Sequence, residues 1–107
     1  MDDADIGEAV VLMNFTARPE SQWEFILAAV AFAESDDELA HIAAGPVEHL
    51  LGWHRSFIER VEWEAKSNHK FGRMMLGVQQ YRMTDDTWAR VVSLQAAATA
   101  RGDVLDA

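Results

Sequence analysis

The sequence predicts an all-α fold, a single compact bundle of six or seven short helices. Three observations predict it: alanine is the commonest residue, only two of the 107 residues are proline, and apolar side chains recur at three- and four-residue spacing throughout. Half of the residues are hydrophobic, so one domain of residues 1–107 can bury enough surface to fold, with residues 1–4 and 102–107 expected to fray. A fragment resembling a helical-repeat stack is the alternative architecture, although no fixed period is visible.

The first two predicted helices cover about residues 5–15 and 20–33. Between them Pro19 restarts the chain, because proline at a first helical position gives up no hydrogen bond that the helix would have made. In the final turns of the second helix, Phe32 lies opposite the apolar face that holds Trp23. A helix that is apolar all round is typically buried, so we expect the second helix at the centre of the bundle.

The third and fourth helices are predicted on either side of a glycine–proline pair. Ser35 and Glu38 match a capping box, in which the Ser35 hydroxyl accepts from the Glu38 amide and the Glu38 carboxylate accepts from the Ser35 amide. The third helix starts there and ends at Gly45. Pro46 then begins a short fourth helix that ends at Gly52.

The last three predicted helices cover about residues 53–67, 68–81 and 84–101, the seventh beginning with a Thr84 cap. Trp63 falls on the side of the fifth helix opposite its apolar arc. This tryptophan either packs beneath a neighbouring helix or stands exposed among charges, where it could anchor a protein interface. Trp53, at a helix junction, is equally open to either interpretation.

Negative charge is concentrated in the first third of the chain. Eighteen acidic and nine basic residues give a net charge of −9, and residues 1–38 hold ten of the acids with one base, Arg18. Residues 39–107 are balanced, but no acid lies between Ala65 and Thr84. An acidic surface of this kind favours basic partners and repels the phosphate backbone of nucleic acids. It also keeps a small protein soluble.

Several function classes are disfavoured by composition. Without cysteine the chain can form no disulfide scaffold, thiolate zinc site or thiol nucleophile, and it contains no glycine-rich phosphate loop. Its longest apolar run, the nine residues Phe25 to Ala33, is too short to span a bilayer. The acidic N-terminus is unlike the basic start of a secretion signal. We therefore expect a cytoplasmic protein with no cofactor and no membrane contact.

The histidines and paired acids suggest no catalytic constellation. Glu48, His49 and His54 lie close in sequence, but the two histidines are five residues apart and do not share a helical face. His41 is expected at the surface. The serines and the paired aspartates suit helix caps and helix N-termini, so neither an enzyme nor a metal site is expected.

The basic stretch from Lys66 to Arg82 includes Phe71 and Tyr81, a composition that can bind nucleic acid. The net negative charge opposes that contact, and Phe71 fits the apolar stripe of its helix. We expect no direct binding to nucleic acid. The bases of this stretch are instead predicted to pair with the acidic first third, in the same molecule or in a second copy.

Residues 42–51, Ile-Ala-Ala-Gly-Pro-Val-Glu-His-Leu-Leu, begin a pattern that resembles the bacterial family of unknown function DUF6869 over about residues 20–94. The pattern continues through His54, Phe57-Ile58, Val61-Glu62, Ala65, Lys70-Phe71, Leu76-Gly77-Val78, Met83-Thr84-Asp85, Trp88 and Val91. The resemblance implies a small helical bacterial protein and brings no known activity. Members usually have Asp at the position of His49, His at that of Trp53 and Asp-Pro at Asn68-His69. These departures remove two polar positions that could have formed a common site, although Asn68 can still cap a helix.

The function that we expect is therefore that of a non-enzymatic acidic protein that covers a basic surface of a protein partner. Small immunity proteins and inhibitors act in this way, and a DNA mimic is a narrower version. The predicted partner contacts are Glu34, Asp36, Asp37 and Glu38, together with the N-terminal Asp residues, and Trp63 or Trp23 is expected to be desolvated at the centre. One alternative is a self-associating structural protein, a homo-oligomer whose acidic end meets the basic stretch of another copy. The other is a metal-dependent enzyme that uses Glu48, His49 and His54.

Overall fold

The computed structural model describes residues 18–106, and the first predicted helix, at residues 5–15, lies outside them. All regular structure in the described part is helical, as predicted. The α-helices are α1 (Pro19–Phe32), α2 (Asp36–Ile42), α3 (Glu48–Trp53), α4 (Ile58–Ser67), α5 (His69–Met74) and α6 (Asp85–Ala100). Short 3-10 turns at Arg55–Phe57 and Met75–Gly77 adjoin α4 and α5, and a π-helical turn at Ala43–Val47 joins α2 to α3.

The helices of residues 18–106 form five continuous segments, so the predicted count of six or seven helices is slightly too high. The difference arises at Pro46, where two separate helices were predicted. Pro46 has no N–H and its ring would clash with the carbonyl four residues back, which an α-helical turn cannot accommodate. A wider π turn at Ala43–Val47 accommodates it, and the chain stays helical from residue 36 to residue 53.

Side-chain caps fix three of the predicted helix starts. The Ser35 hydroxyl accepts from the Glu38 amide at 3.2 Å, the Thr84 hydroxyl from the Thr87 amide at 3.2 Å, and the Asn68 side-chain oxygen from the Phe71 amide at 3.2 Å. The return bond of the capping box differs from the prediction, because the Glu38 carboxylate accepts from the amide of Glu34, at 2.6 Å, one residue before Ser35. Each cap satisfies an amide that the first helical turn leaves unpaired.

The hydrophobic core lies between one face of α1 and the other helices. Trp23 of α1 contacts Phe57 and Phe71, with ring centroids 6.4 and 5.8 Å apart. The largest fully buried side chains are Phe71, Ile26, Leu39, Ile42, Leu50, Leu51, Met74 and Met75. The expectation of a central second helix is wrong, because only one stripe of α1 is buried and Phe32, its last residue, is 82% exposed.

Two further helix ends differ from the prediction. The fifth helix was expected to begin at residue 53, but His54 (φ −136°, ψ 67°) interrupts the chain between α3 and the turn at Arg55–Phe57. The sixth was expected to reach Tyr81, but its helical segment ends at Gly77. After α6, Gly102 reverses the chain with φ 89°, a left-handed conformation that glycine adopts without strain. Residues expected to fray are then tied back, since the amide of Asp106 donates to Asp36 at 2.8 Å.

Candidate functional site

The acidic residues predicted to contact a partner lie at the turn between α1 and α2. Because α1 ends at Phe32 and Ser35 caps the start of α2, residues 32–38 form one short surface segment, here called the acidic junction. It contains Glu34, Asp36, Asp37 and Glu38, the four predicted acids. Three of them occupy the first turn of α2, where the helix dipole favours negative charge.

Two of the four carboxylates have roles within the molecule. Asp36 forms an ion pair with Arg73 of α5, and its other oxygen accepts from the Asp106 amide. The hydrogen bond from Arg73, followed by that from the Asp106 amide, lowers the pKa of Asp36 below its ordinary value. The Glu38 carboxylate accepts a hydrogen bond from the amide of Glu34. These two acids therefore hold the junction in shape and are less available to a partner.

The other two acids face solvent. The Glu34 and Asp37 side chains are exposed, and neither carboxylate has a hydrogen bond or ion pair to any residue of the described range 18–106. Lys70 lies beside the junction, but its ammonium donates to the carbonyl oxygens of Ala31 (3.2 Å) and Ala33 (2.6 Å). The acidic junction holds four carboxylates, and two cations, Lys70 and Arg73, lie beside it. Its net charge is therefore negative.

Phe32 supplies an aromatic ring to this surface. It is 82% exposed and lies two residues before Glu34. Sequence reasoning missed it, since the apolar spacing of α1 placed Phe32 in the core. The sequence did contain a signal that Phe32 is exposed. Only one apolar residue follows Phe32 before the acidic run begins, and the helix ends at this point. Trp23, predicted as an alternative anchor, is buried among Phe57 and Phe71 and cannot reach a partner.

Trp63 is exposed but belongs to a different surface. It lies on α4, which packs against α5 and α6, and 70% of its surface is accessible. Within residues 18–106, no hydrogen bond, ion pair or ring contact links it to the acidic junction. Next to it, Glu62 accepts from the Arg90 guanidinium at 2.9 Å, which lowers the pKa of Glu62. The structure therefore does not bring Trp63 together with the predicted acids.

The basic stretch meets the acidic third inside one molecule, at Arg73 and Asp36. A second ion pair, at 2.7 Å, joins Arg60 of α4 to Glu20 of α1. The Arg73–Asp36 pair is an intramolecular instance of the predicted charge pairing, whereas Arg60 lies outside the Lys66 to Arg82 stretch. The two ion pairs leave Arg82, at the end of the basic stretch, without a carboxylate partner among residues 18–106.

The chain matches the model of a family of unknown function, DUF6869, over residues 4–99. The match covers most of the sequence. The chain belongs to the DUF6869 family. No curated protein and no solved structure matches it. The family description assigns no activity. The chemistry of the surface is therefore what indicates a function for this DUF6869 domain.

Of the three residues in the metal-enzyme alternative, Glu48 is buried and hydrogen-bonded in this DUF6869 domain. Glu48 is only 8% exposed, and its carboxylate accepts from the Gln79 amide at 2.9 Å. Burial raises the pKa of Glu48, a shift that the Gln79 amide partly opposes. Burial also lowers the pKa of His49, helped by the nearby charges of His54 and Arg82. In the part of the chain that the structure describes, no three acidic or histidine side chains are placed to hold a metal ion.

A cleft of about 130 Å³ lies between α4, α5 and α6 of the DUF6869 domain. Its walls include Lys66, Arg90 and Arg101. Arg90 is paired with Glu62, and Arg101 donates to Asp103 at 3.0 Å. Sites for drug-sized ligands are usually several hundred Å³. A wider depression of about 400 Å³, lined in part by Lys66, His69 and Arg101, adjoins the cleft but is largely open to solvent. The helices within residues 18–106 are also too short or too polar to cross a membrane.

Proposed function

We propose that this DUF6869 protein is a non-enzymatic binding protein whose acidic junction covers a basic surface of a protein partner. One observation carries the proposal. Phe32 is 82% exposed on the same short segment as Glu34 and Asp37, whose carboxylates have no hydrogen-bond or ion-pair partner in the described range. Aromatic side chains, including Phe, are enriched in the buried cores of protein interfaces, and complementary charges around them set specificity and association rate. Four further acids in residues 1–17 add to the same end of the sequence.

The proposed mechanism has a charge step and a burial step. The carboxylates of Glu34 and Asp37 attract a basic partner and orient it, which acts mainly on the association rate. Phe32 is then removed from water at the centre of the contact, which supplies affinity. The pair between Asp36 and Arg73 keeps the turn rigid, so little conformational entropy is lost on binding.

The test is affinity capture from the native host with the full-length protein, at low and at high salt. We expect a protein with a basic surface to be captured, with less recovered at high salt because screening weakens charge contacts. The double variant Glu34→Gln/Asp37→Asn and the single variant Phe32→Ser should each reduce capture by about tenfold, the equivalent of about 1.4 kcal/mol.

A matched control separates local from overall charge. Glu24→Gln/Asp86→Asn removes the same two negative charges from exposed positions outside the junction. Capture should survive in this control. Equal loss in both double variants, or capture that Phe32→Ser leaves unchanged, would contradict the proposal. Trp63→Ala tests the anchor predicted from sequence. Loss of capture in that variant alone would indicate that the binding surface lies on α4.

The second candidate function is self-association of this acidic protein. Sedimentation velocity distinguishes self-association from the binding of a different protein. If the acidic junction of one copy meets Arg82 of another, the sedimentation coefficient rises with protein concentration. Glu34→Gln/Asp37→Asn should abolish that rise. A monomer at every salt and protein concentration removes self-association and leaves the binding of a different protein.

A further inference from the structure

A second surface, distant in sequence from the acidic junction, combines Trp53, Tyr81 and Arg82. Trp53 ends α3, and the other two lie on the irregular segment between Gly77 and α6. The two rings are 55% and 52% exposed. Gly52 lets the segment approach α3, since a Cβ at that position would lie 2.8 Å from the Tyr81 carbonyl oxygen. The aromatic rings are thus presented together by direct backbone packing.

Arg82 lies between the two rings in an unusual conformation. Its guanidinium carbon is 5.0 Å from the centroid of the Trp53 ring and 5.6 Å from that of Tyr81, within the range of cation–π contact. Its φ of 58° is left-handed, and it is the only described residue other than glycine with positive φ. Such strain is retained where the surrounding structure enforces it, and it is concentrated at functional sites.

The two segments that carry Trp53 and Arg82 are free of acidic residues in an otherwise acidic protein. Neither residues 49–57 nor residues 66–84 contain an acid, while Arg55 and two histidines lie in the first of these ranges. The nearest acids in sequence are Asp85, which accepts from the Gln80 side-chain amide at 3.1 Å, and Asp86, and neither forms an ion pair with Arg82. Glu48, which precedes the first range, is buried and bound to the Gln79 amide. The positive charge of Arg82 is also felt at His49, whose ring centroid is 6.0 Å from that of Trp53.

We propose that Trp53, Tyr81 and Arg82 form a docking surface for an acidic peptide segment of a protein partner. Arg82 would bind a carboxylate of that segment, because guanidinium N–H groups match carboxylate oxygens. An apolar side chain next to that carboxylate would pack on the two rings. Trp, Tyr and Arg are the residue types most enriched among interface hot spots. At physiological salt, charges beyond about 8 Å are screened, so the attraction of Arg82 for a carboxylate depends on its immediate neighbours more than on the net charge of −9.

The experiment is selection from a displayed library of short random peptides with the full-length protein as bait. The same selection is made with Arg82→Gln and with Trp53→Ala, both at exposed positions where folding should be retained, as circular dichroism would show. Glu34→Gln/Asp37→Asn is the matched control at the acidic junction. We expect enriched peptides that carry Asp or Glu beside an apolar residue. Their enrichment should fall about tenfold or more with either surface variant.

The control makes this proposal separable from the function proposed above. Acidic peptides should still be enriched by Glu34→Gln/Asp37→Asn, whereas basic peptides, if selected, should be lost with that variant alone. The docking surface is overturned if the enriched peptides lack acids, if Arg82→Gln and Trp53→Ala retain the same peptides, or if no peptide is enriched. Binding of oligothymidylate that depends on Trp53 would also overturn it in favour of a nucleic-acid surface.

Discussion

Arg82 combines a left-handed backbone conformation with a guanidinium that contacts two aromatic rings. Left-handed backbone costs a residue with a Cβ about 1–2 kcal/mol, and glycine avoids that cost. The arginine gains cation–π contacts, but at exposed sites these are worth only about 0.5–1 kcal/mol. Stability alone therefore does not account for arginine at this position. The proposed role of the Arg82 guanidinium, which is to bind a partner carboxylate while it contacts the two rings, accounts better for arginine at this position.

The strain at Arg82 can be measured by comparing two substitutions. Arg82→Gly and Arg82→Ala both remove the guanidinium, but only glycine adopts a φ of 58° without strain. We expect Arg82→Gly to be more stable than Arg82→Ala by about 1 kcal/mol in urea denaturation. Equal stability of the two variants would show that the segment around Tyr81 relaxes to another conformation.

Glu48 should make stability depend on pH in a defined direction. Burial raises its pKa in the folded protein, so the folded state binds the proton more tightly than the unfolded chain. The resulting stabilisation is complete below the ordinary pKa of 4.5 and is lost as the pH rises through the folded-state value. Glu48→Gln cannot titrate. The stability of Glu48→Gln minus that of the wild type should therefore increase from about pH 4 to about pH 7, in urea denaturation at each pH. A constant or decreasing difference would contradict the raised pKa.

Burial of individual aromatic residues was the least predictable part of the site. Helical periodicity placed Trp23 correctly on the buried face of α1, yet it also placed Phe32 in the core and left Trp63 open. Periodicity reports which residues share a face of one helix. It does not report which faces other helices cover, and that depends on packing between distant segments.

At the scale of the helices, local hydrogen-bond chemistry was the most predictable feature. Ser35, Asn68 and Thr84 begin helices as expected, because a side-chain oxygen at an N-cap satisfies amides whatever the rest of the molecule does. Pro46 was not predictable in this way. A proline signals the end of an α-helix, but a π turn of five residues continues the helix when the flanking side chains are buried.

Loss of the two hydroxyl caps should have a measurable cost. Ser35→Ala and Thr84→Ala should each lower the free energy of unfolding by about 1 kcal/mol, since each leaves an amide of the first turn unpaired. Ser93 is the control. Its hydroxyl donates to the Ala89 carbonyl within α6, and Ser93→Ala should change stability by less than about 0.5 kcal/mol. Comparable losses in all three variants would argue against the caps.

At the scale of the whole molecule, the net charge of −9 sets the response to salt. The described residues hold fourteen acidic and nine basic side chains, and the surface ion pairs are individually weak. Repulsion among the excess carboxylates should therefore dominate. We expect the melting temperature at neutral pH to rise by a few degrees from low to high sodium chloride, as differential scanning calorimetry would show. At pH 4.7, the isoelectric point, this rise should disappear. A fall in melting temperature at neutral pH would mean that the ion pairs matter more than the repulsion.

The π turn at Ala43–Val47 has a further consequence for how the protein could be used. Because the helix is unbroken from residue 36 to residue 53, the acidic junction and Trp53 lie at its two ends, at most roughly 27 Å apart along the chain. If both proposed surfaces bind, a cationic protein and an anionic segment would be held at the two ends of one continuous helix, which is the arrangement of an adaptor.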